Sequence, residues 1–474
     1  MTALDLPSRK NRSVSSLLER VRNSAVAWSW LFNGVRLAAG FLLLPLVLNK
    51  LPTAELGMYY VFLSLAALVP LVDFGFGPTI GRFVSYAMGG AESLQAQGVA
   101  KPGRLDAPNY SLLWELLETT RVLYRYLTGA VLVVLGAWGT FMVHLRVNET
   151  ASPSLTWLAW AVTLVSALFD IYSGWWVTYL RGMNEVLPAA RISSIGVLTR
   201  LLLAVPLLVC GAGLLSLPIA TLAGSWIQRH LARRRCRQML EGHPASHSDF
   251  RATLRVLWPN TWRLGLQFTG IYLTSNANIA ICMGTESLGL AGTAQYGLSV
   301  QLLAFISGMV GVWTSVKWPI LGQYRARHDL LAMQRILRPR VWLQTISYLV
   351  ACAALLLSGP FLLRHFGGGK QMLPIGWLAL MMFNGFFEMH LVLWCTLLSM
   401  ENRLPYLWPW LATNVLGLCL SLALVHFTSL GLGALVLGPL LAGIVFNHWY
   451  WPPYAARSLG TTLTRLLFVG PEGK

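Results

Sequence analysis

Apolar runs long enough to cross a lipid bilayer recur along the whole chain, and they constrain the fold more than any other feature. A helix needs roughly 20 apolar residues to cross about 30 Å of hydrocarbon. Only 11% of the 474 residues are charged, whereas a soluble domain carries about 25%. The sequence therefore predicts an all-α polytopic membrane protein. We expect about 12 transmembrane helices, at 25–48, 56–80, 123–145, 154–178, 187–210, 212–228, 257–283, 289–317, 341–363, 373–399, 405–427 and 430–451.

The distribution of Lys and Arg predicts the orientation. The formal net charge is +18, which in a soluble protein would suggest nucleic-acid binding. Alternate loops, beginning with the N-terminus, hold about 29 of the 36 Lys and Arg residues, and the remaining loops hold about 4. Cytoplasmic loops carry such an excess. We therefore expect both termini to be cytoplasmic, the basic loops to contact anionic phospholipids, and no nucleic acid to bind.

A weak internal repeat divides the chain into two six-helix halves with pseudo-twofold symmetry. The segments 211–224 and 431–443 share a glycine-rich start, a proline and a later Ala-Gly pair. They fall at the sixth and the twelfth predicted helix. The predicted units are a cytoplasmic N-terminal tail (1–24), an N-terminal half (25–228), a basic cytoplasmic linker (229–256), a C-terminal half (257–451) and a cytoplasmic C-terminal tail (452–474).

The most specific stretch of sequence runs from Glu55 to Arg82. It starts Glu-Leu-Gly-Met-Tyr-Tyr-Val and passes through Asp73-Phe-Gly75-Phe-Gly-Pro. This stretch resembles the first two helices of polysaccharide flippases, the O-antigen, capsule and exopolysaccharide exporters of the multidrug/oligosaccharidyl-lipid/polysaccharide exporter superfamily. The layout of the whole chain is similar to that family.

The resemblance implies a multi-pass protein of the bacterial inner membrane that is a transporter and not an enzyme. Its substrate would be polyprenyl-pyrophosphate-linked oligosaccharide, moved by alternating access for lipopolysaccharide or other surface polysaccharide biosynthesis. A polysaccharide polymerase and chain-length machinery are the implied partners. In transporters built from repeats, the substrate site lies between the repeats near the bilayer midplane.

Arginines inside apolar runs are the candidates for substrate binding. An Arg at a helix centre costs about 2.5–3.5 kcal/mol on insertion scales, so it is kept where it faces a cavity or a partner. Arg36, Arg200 and Arg263 are such residues, and Asn33 shares a helix face with Arg36. Guanidinium suits bidentate contact with phosphate. The alternatives are an ion pair between Arg36 and Asp73, and an Arg263 side chain that extends to the cytoplasmic surface.

Acidic residues in the apolar runs are candidates for gating or for ion coupling. Asp73 and Gly75, with Arg82, form either a hinge or gate, or a structural helix end with local ion pairing. Glu388 and Asp170 are candidates for ion coupling, because buried carboxylates can exchange protons. For Glu388 the alternative is a satisfied interhelical hydrogen bond.

Two other functions remain open. A small-molecule or drug antiporter of the same superfamily would share the architecture, although cationic substrates would favour an acidic cavity. A membrane glycosyl polymerase or ligase would need a sizeable extracytoplasmic loop, and the predicted outer loops are short. The sequence contains no Walker A loop, Rossmann glycine signature, HExxH or GxSxG. We therefore expect no cofactor, no metal and no covalent catalysis.

Overall fold

The fold is that of a computed structural model. It describes residues 42–94, 107–243, 249–326, 328–400 and 404–469, together with positions 34 and 40. All elements assigned in this part of the chain are helices. In the N-terminal half they are α1 (42–50), α2 (Thr53–Ala66), α3 (Val69–Asp73), α4 (Phe76–Met88), α5 (Tyr110–Val134), α6 (Thr140–Arg146), α7 (Pro153–Gly182), α8 (Val186–Val209) and α9 (Ser216–Leu240).

The C-terminal half has the same kind of organisation. Its helices are α10 (Phe250–Ser275), α11 (Ala277–Gly284), α12 (Gly289–Val310), α13 (Val312–Ser315), α14 (Trp318–Ala326), α15 (Leu330–Phe366), α16 (Ile375–Ser399), α17 (Leu407–Phe427), α18 (Leu432–Val445) and α19 (Asn447–Ser458). Short π-helical turns at Leu135–Gly139 and Arg465–Val469 follow α5 and α19.

Eight spans in the described part of the chain are long and apolar enough to cross a membrane, or nine if α18 and α19, bent by 42°, form one span. Three further predicted spans do not pass the same test. Most of 25–48 lies outside the described residues. The span at 212–228 belongs to α9, and the span at 257–283 belongs to α10 and α11. Polar residues lower the hydropathy of α9 and α10.

Several helices run well beyond the predicted spans, because an apolar run marks only the part of a helix that lies in hydrocarbon. The span at 123–145 begins at Tyr110, and the span at 341–363 begins at Leu330. The basic segment 229–256 is largely helical, as the end of α9 and the start of α10. In the tail at 452–474, the carbonyls of Leu467 and Phe468 accept hydrogen bonds from Arg338 on α15.

The outer surface of the bundle is apolar. Leu357 is 85% exposed, Phe427 87% and Leu202 70%. Scattered apolar residues are normal on a soluble protein, but such a continuous apolar surface needs lipid around it. The described loops at the end assigned to the outside are all short, and the longest joins α15 to α16 over 367–374.

The two halves touch where α2 crosses α12. A Cβ at Gly57 would overlap the carbonyl of Leu290, and a Cβ at Gly297 would overlap the ring of Tyr60. The Tyr60 hydroxyl donates a hydrogen bond to Gln301 Oε1 at 2.7 Å. Small residues let membrane helices approach closely. This crossing is therefore a close-packed seam between the halves.

Candidate functional site

Two of the four residues predicted to bind substrate, Asn33 and Arg36, lie outside the described residues. The other two are described, and they lie in different halves. Arg200 is on α8 and Arg263 is on α10. The structure does not bring these two arginines into contact.

Arg200 lies in the middle of its span. It is nine residues before the end of α8, about 14 Å at 1.5 Å per residue. Its Nη2 donates a hydrogen bond to Ser225 Oγ on α9 at 2.7 Å. The same nitrogen is 3.9 Å from Asp170 Oδ1 on α7, which is an ion pair but too long for a hydrogen bond. Arg200 and Asp170, expected to act separately, therefore share one site.

Two glycines allow α8 and α9 to enclose the Arg200 side chain. A Cβ at Gly224 would lie 2.7 Å from the Gly196 carbonyl oxygen and 3.0 Å from Arg200 Nε. That Nε is buried and has no hydrogen-bond partner among the described residues. The side chains of Arg200 and Asp170 are 37% and 40% exposed. The Arg200 side chain is therefore partly exposed, and only its Nη2 has a described hydrogen-bond partner.

Arg263 has different surroundings. Its guanidinium lies 5.5 Å from the ring centroid of its neighbour Trp262, and the residue is exposed. Within the described part of the chain it has no carboxylate partner. An exposed arginine stacked on a tryptophan is typical of the membrane interface.

Asp73 is the last residue of α3, and its side chain stabilises the break between α3 and α4. Its Oδ1 accepts a hydrogen bond from the Tyr124 hydroxyl at 2.5 Å, and its Oδ2 accepts one from the Gly77 amide at 3.1 Å. Phe74 and Gly75 adopt left-handed conformations with φ of 50° and 81°. The described partners of Asp73 are therefore a tyrosine and a backbone amide. Among the described residues Asp73 has no ion-pair partner, and Arg82 is exposed and packs over the ring of Phe83.

The break between α3 and α4 also contacts the C-terminal half. The Phe74 ring stacks on Trp258 of α10, with ring centroids 6.0 Å apart, and lies where a Cβ of Gly265 would be. Thr253 Oγ1 on α10 also donates to Glu115 Oε1 on α5 at 2.7 Å. A second contact between the halves thus lies at the end of the bundle assigned to the cytoplasm.

Glu388 lines a cavity inside the C-terminal half. The cavity has a volume of about 530 Å³. Its walls are mostly apolar, and its polar residues include Asn384, Gln344 and Thr274. The Asn384 Oδ1 is buried without a described partner. No Arg or Lys of the described residues lines this cavity.

His448 of α19 approaches Glu388, with Nε2 and Oε1 3.5 Å apart. The imidazole stacks on Phe387, with centroids 4.9 Å apart. His390, which is close to Glu388 in sequence, instead bonds Thr345. Glu388 therefore faces a histidine from a different helix.

An arginine-rich cleft was not anticipated from the sequence. It has a volume of about 190 Å³ and lies between α5, α7 and α9. We call it the arginine cleft; it is lined by Arg121, Arg125, Tyr172, Trp175, Trp176, Arg229, Arg233 and Arg237. Helical spacing could have revealed it, because Arg229, Arg233 and Arg237 are four residues apart and share a face of α9. Before the structure, these arginines had been used only to predict the orientation of the chain in the membrane.

A polar contact also joins the halves at the end assigned to the outside. Arg146 binds Glu149 through Nη1 and Oε1 at 3.0 Å, and its Nε donates to the Met283 carbonyl at 3.1 Å. Glu149 Oε2 accepts a hydrogen bond from the Leu290 amide at 3.0 Å. A carboxylate at the N-terminus of α12 and a cation at the C-terminus of α11 both suit the helix dipoles. We call this set of four residues the outer contact.

Solved structures with the same helical arrangement cover nearly all of the chain. A multidrug resistance MATE family transporter of the MOP superfamily in an inward-facing conformation has a TM-score of 0.59 at 15% identity, over 90% of this chain and 98% of that chain. The chain has the fold of MATE transporters. The expected all-α protein with about 12 transmembrane helices in two halves is thereby confirmed.

Two further structures extend the comparison across the MATE fold. The MATE multidrug transporter DinF-BH, solved with a compound bound, matches with a TM-score of 0.60 at 14% identity, over 94% of this chain and 97% of that chain. A MOP superfamily transporter from Pyrococcus furiosus Vc1, for which the reverse polarity of the binding pocket suggests a different function, matches with a TM-score of 0.56 at 15% identity, over 94% and 98% of the two chains. No protein-family model and no curated protein sequence matches the chain.

Proposed function

We propose that this protein is a transporter of the bacterial inner membrane that moves polyprenyl-pyrophosphate-linked oligosaccharide by alternating access. The observation that carries the proposal is the partly satisfied Arg200 at mid-depth. Its Nε has no described partner, and its nearest carboxylate is 3.9 Å away. A cation with spare donors inside a membrane attracts an anionic group, and guanidinium suits pyrophosphate.

Proteins with this fold do not all have the same pocket polarity. The Pyrococcus furiosus neighbour, with its reverse pocket polarity, is an example of a departure from the usual pocket. The stretch from Glu55 to Arg82, which resembles polysaccharide flippases, builds the helix break at Asp73 and its contact with α10. Both features favour a polysaccharide flippase over a drug antiporter of the same superfamily.

The proposed mechanism rests on two contacts between the halves. The outer contact and the contact of Phe74 with Trp258 lie at opposite ends of the bundle. During alternating access, one of these two contacts would break while the other stays intact. The pyrophosphate would lie against Arg200, and Arg36 would add a second guanidinium from the first span. The polyprenyl tail would stay in the lipid, because it is as apolar as the bilayer itself.

A cation gradient would give the cycle its direction. We propose Glu388 as the coupling residue, because it lines a cavity next to His448 and has no described Arg or Lys partner. Asp170 is less suited to coupling, since it already pairs with Arg200. Anionic phospholipids, a polysaccharide polymerase and chain-length machinery are the proposed partners.

A drug or small-molecule antiporter is the second candidate. The specific observation in its favour is the cavity of about 530 Å³, whose apolar walls and Glu388 suit an amphipathic cation. A glycosyl polymerase or ligase is not supported by the short described loops at the outer end.

The experiment that tests the proposal uses the native host. The gene is deleted and replaced by wild type, Arg200→Gln, Arg200→Lys or Arg234→Gln at matched protein abundance; Arg234 is an exposed arginine that serves as the control. Lipid-linked glycans on the cytoplasmic face are then measured. We expect them to accumulate in the deletion and with Arg200→Gln, but not with Arg234→Gln. An absence of accumulation in the deletion strain would refute the glycan substrate.

A further inference from the structure

The arginine cleft lies at the depth of the lipid headgroups. Counted from the start of α9 at 1.5 Å per residue, Arg229 is about 20 Å along the helix, Arg233 about 26 Å and Arg237 about 32 Å. The hydrocarbon layer is about 30 Å thick. The cleft therefore crosses the boundary between the hydrocarbon and the headgroups. Trp175 and Trp176, stacked with ring centroids 4.0 Å apart, line it at this level, as interfacial tryptophans do.

The positive charge of the cleft is only partly neutralised within the described chain. Arg121 pairs with Glu118 at 2.8 Å. Arg125, Arg229, Arg233 and Arg237 have no carboxylate partner among the described residues, and the buried Nε of Arg233 has no hydrogen-bond partner there. Guanidinium groups gathered around one cavity repel each other unless an anion joins them. This arrangement is that of an anion site.

Aromatic rings hold two of the guanidinium groups in place. Arg229 lies 4.8 Å from the ring centroids of both Phe169 and Tyr172. Arg121 lies 5.8 Å from the ring of Trp176. Cation–π contacts of this kind orient the planar donor group without using its hydrogens. The donors therefore remain available to a ligand in a preorganised site.

The size of the cleft and its donors define the ligand. Its volume of about 190 Å³ equals that of roughly six waters at about 30 Å³ each, which leaves room for one or two phosphoryl groups. Arginine forks match phosphate oxygens in bidentate geometry. We propose that the arginine cleft binds the phosphoryl headgroup of a membrane lipid at the cytoplasmic surface. This proposal does not depend on which substrate the protein transports.

Two neighbouring arginines provide a matched test. Arg233 lines the cleft, whereas Arg234 is exposed and does not line it. The variants Arg233→Gln and Arg234→Gln remove the same charge from the same helix. Full-length protein is purified, stripped of lipid and titrated with three probes: phosphatidylglycerol in phosphatidylcholine nanodiscs, polyprenyl pyrophosphate in the same nanodiscs, and inorganic pyrophosphate in solution. Bound lipid is counted by native mass spectrometry.

We expect Arg233→Gln to weaken lipid binding about tenfold or more, as the loss of a hydrogen bond to a charged group does. Arg234→Gln should leave binding within about twofold of wild type, since only screened surface attraction changes. Arg229→Gln is the second variant, and it should repeat the loss if Arg233→Gln fails to fold. Preferential binding of either lipid identifies the source of the phosphoryl group.

Two results would overturn the proposal. Equal losses in Arg233→Gln and Arg234→Gln would mean that lipids respond to diffuse surface charge and not to the cleft. Binding of inorganic pyrophosphate with no cleft-dependent binding of either lipid would mean that the ligand is a soluble anion.

Discussion

Arg200 and Asp170 approach each other to 3.9 Å between α8 and α7, too far for a hydrogen bond, while Arg200 donates to Ser225. The pair is incomplete at a depth where an isolated charge is costly. Its geometry leaves both a structural and a ligand-binding role open to Arg200, and the two roles can be separated by mutation.

The first prediction uses a double variant of this pair. Arg200→Gln leaves Asp170 without its cation, so we expect lower protein yield and transport reduced about tenfold or more. Adding Asp170→Asn removes the unpaired carboxylate and should restore the yield, but not transport, if Arg200 also binds the substrate. Yield by fluorescence-detected chromatography and transport in the native host are the two measurements. Recovery of both in the double variant would assign Arg200 a purely structural role.

The second prediction concerns the seam between α2 and α12. Gly57→Ala should lower the melting temperature of the detergent-purified protein by several degrees, because its Cβ would meet the backbone of Leu290, which cannot move cheaply. Gly129→Ala is the matched control: this glycine also lies within a helix but has nothing within 4 Å of its added Cβ. There the change should be neutral or stabilising by about 0.5–1 kcal/mol. Equal effects at both positions would show that the seam is not close-packed.

The third prediction tests the helix break at Asp73. Tyr124→Phe removes one hydrogen bond to a carboxylate, and Asp73→Ala removes both of its described bonds. Bonds to charged groups contribute about 1.5–3 kcal/mol each. We expect the two substitutions to be non-additive in thermal stability, with a coupling energy of about 0.5–3 kcal/mol. Additive effects would mean that the hydrogen bond between Tyr124 and Asp73 contributes no stability.

The fourth prediction tests the outer contact. Glu149→Gln weakens the bond to the Leu290 amide and the pairing with Arg146. The outer end should then open more often. Cys282 of α11 is fully buried beside this contact, so its thiol reports the opening. In a variant that keeps only Cys282, we expect maleimide labelling from outside to be faster with Glu149→Gln. A control substitution, Glu286→Gln in the same loop region, should leave the rate unchanged; an equal rise there would contradict the gating role.

The sequence was sufficient for the fold but not for the sites. The apolar runs predicted the spans, because hydrocarbon thickness sets the length of each run. Helix ends such as Tyr110 and Leu330 were missed, since helices continue into the cytoplasm with polar residues. Contacts across helices have no local signal: Tyr124 is 51 residues from Asp73, and His448 rather than His390 faces Glu388.

The arginine cleft was not predicted from the sequence, for a different reason. Arg229, Arg233 and Arg237 are four residues apart, which puts them on one face once the segment is a helix, but 229–256 was predicted only as a basic linker. What the spacing could not show was that α5 supplies Arg121 and Arg125 to the same cavity. Only the packing of α5, α7 and α9 brings the five side chains together.

The proposed substrate is an anionic lipid-linked glycan, and a translocation assay in proteoliposomes measures its transport directly. Purified protein is reconstituted with a fluorescent polyprenyl-pyrophosphate oligosaccharide, and its exposure on the opposite leaflet is followed by a membrane-impermeant lectin or quencher. Parallel vesicles contain a cationic dye. We expect that wild-type protein moves the glycan lipid, that Arg200→Gln does not, and that the dye is not transported. Transport of the dye, with no translocation of the glycan lipid, would contradict it.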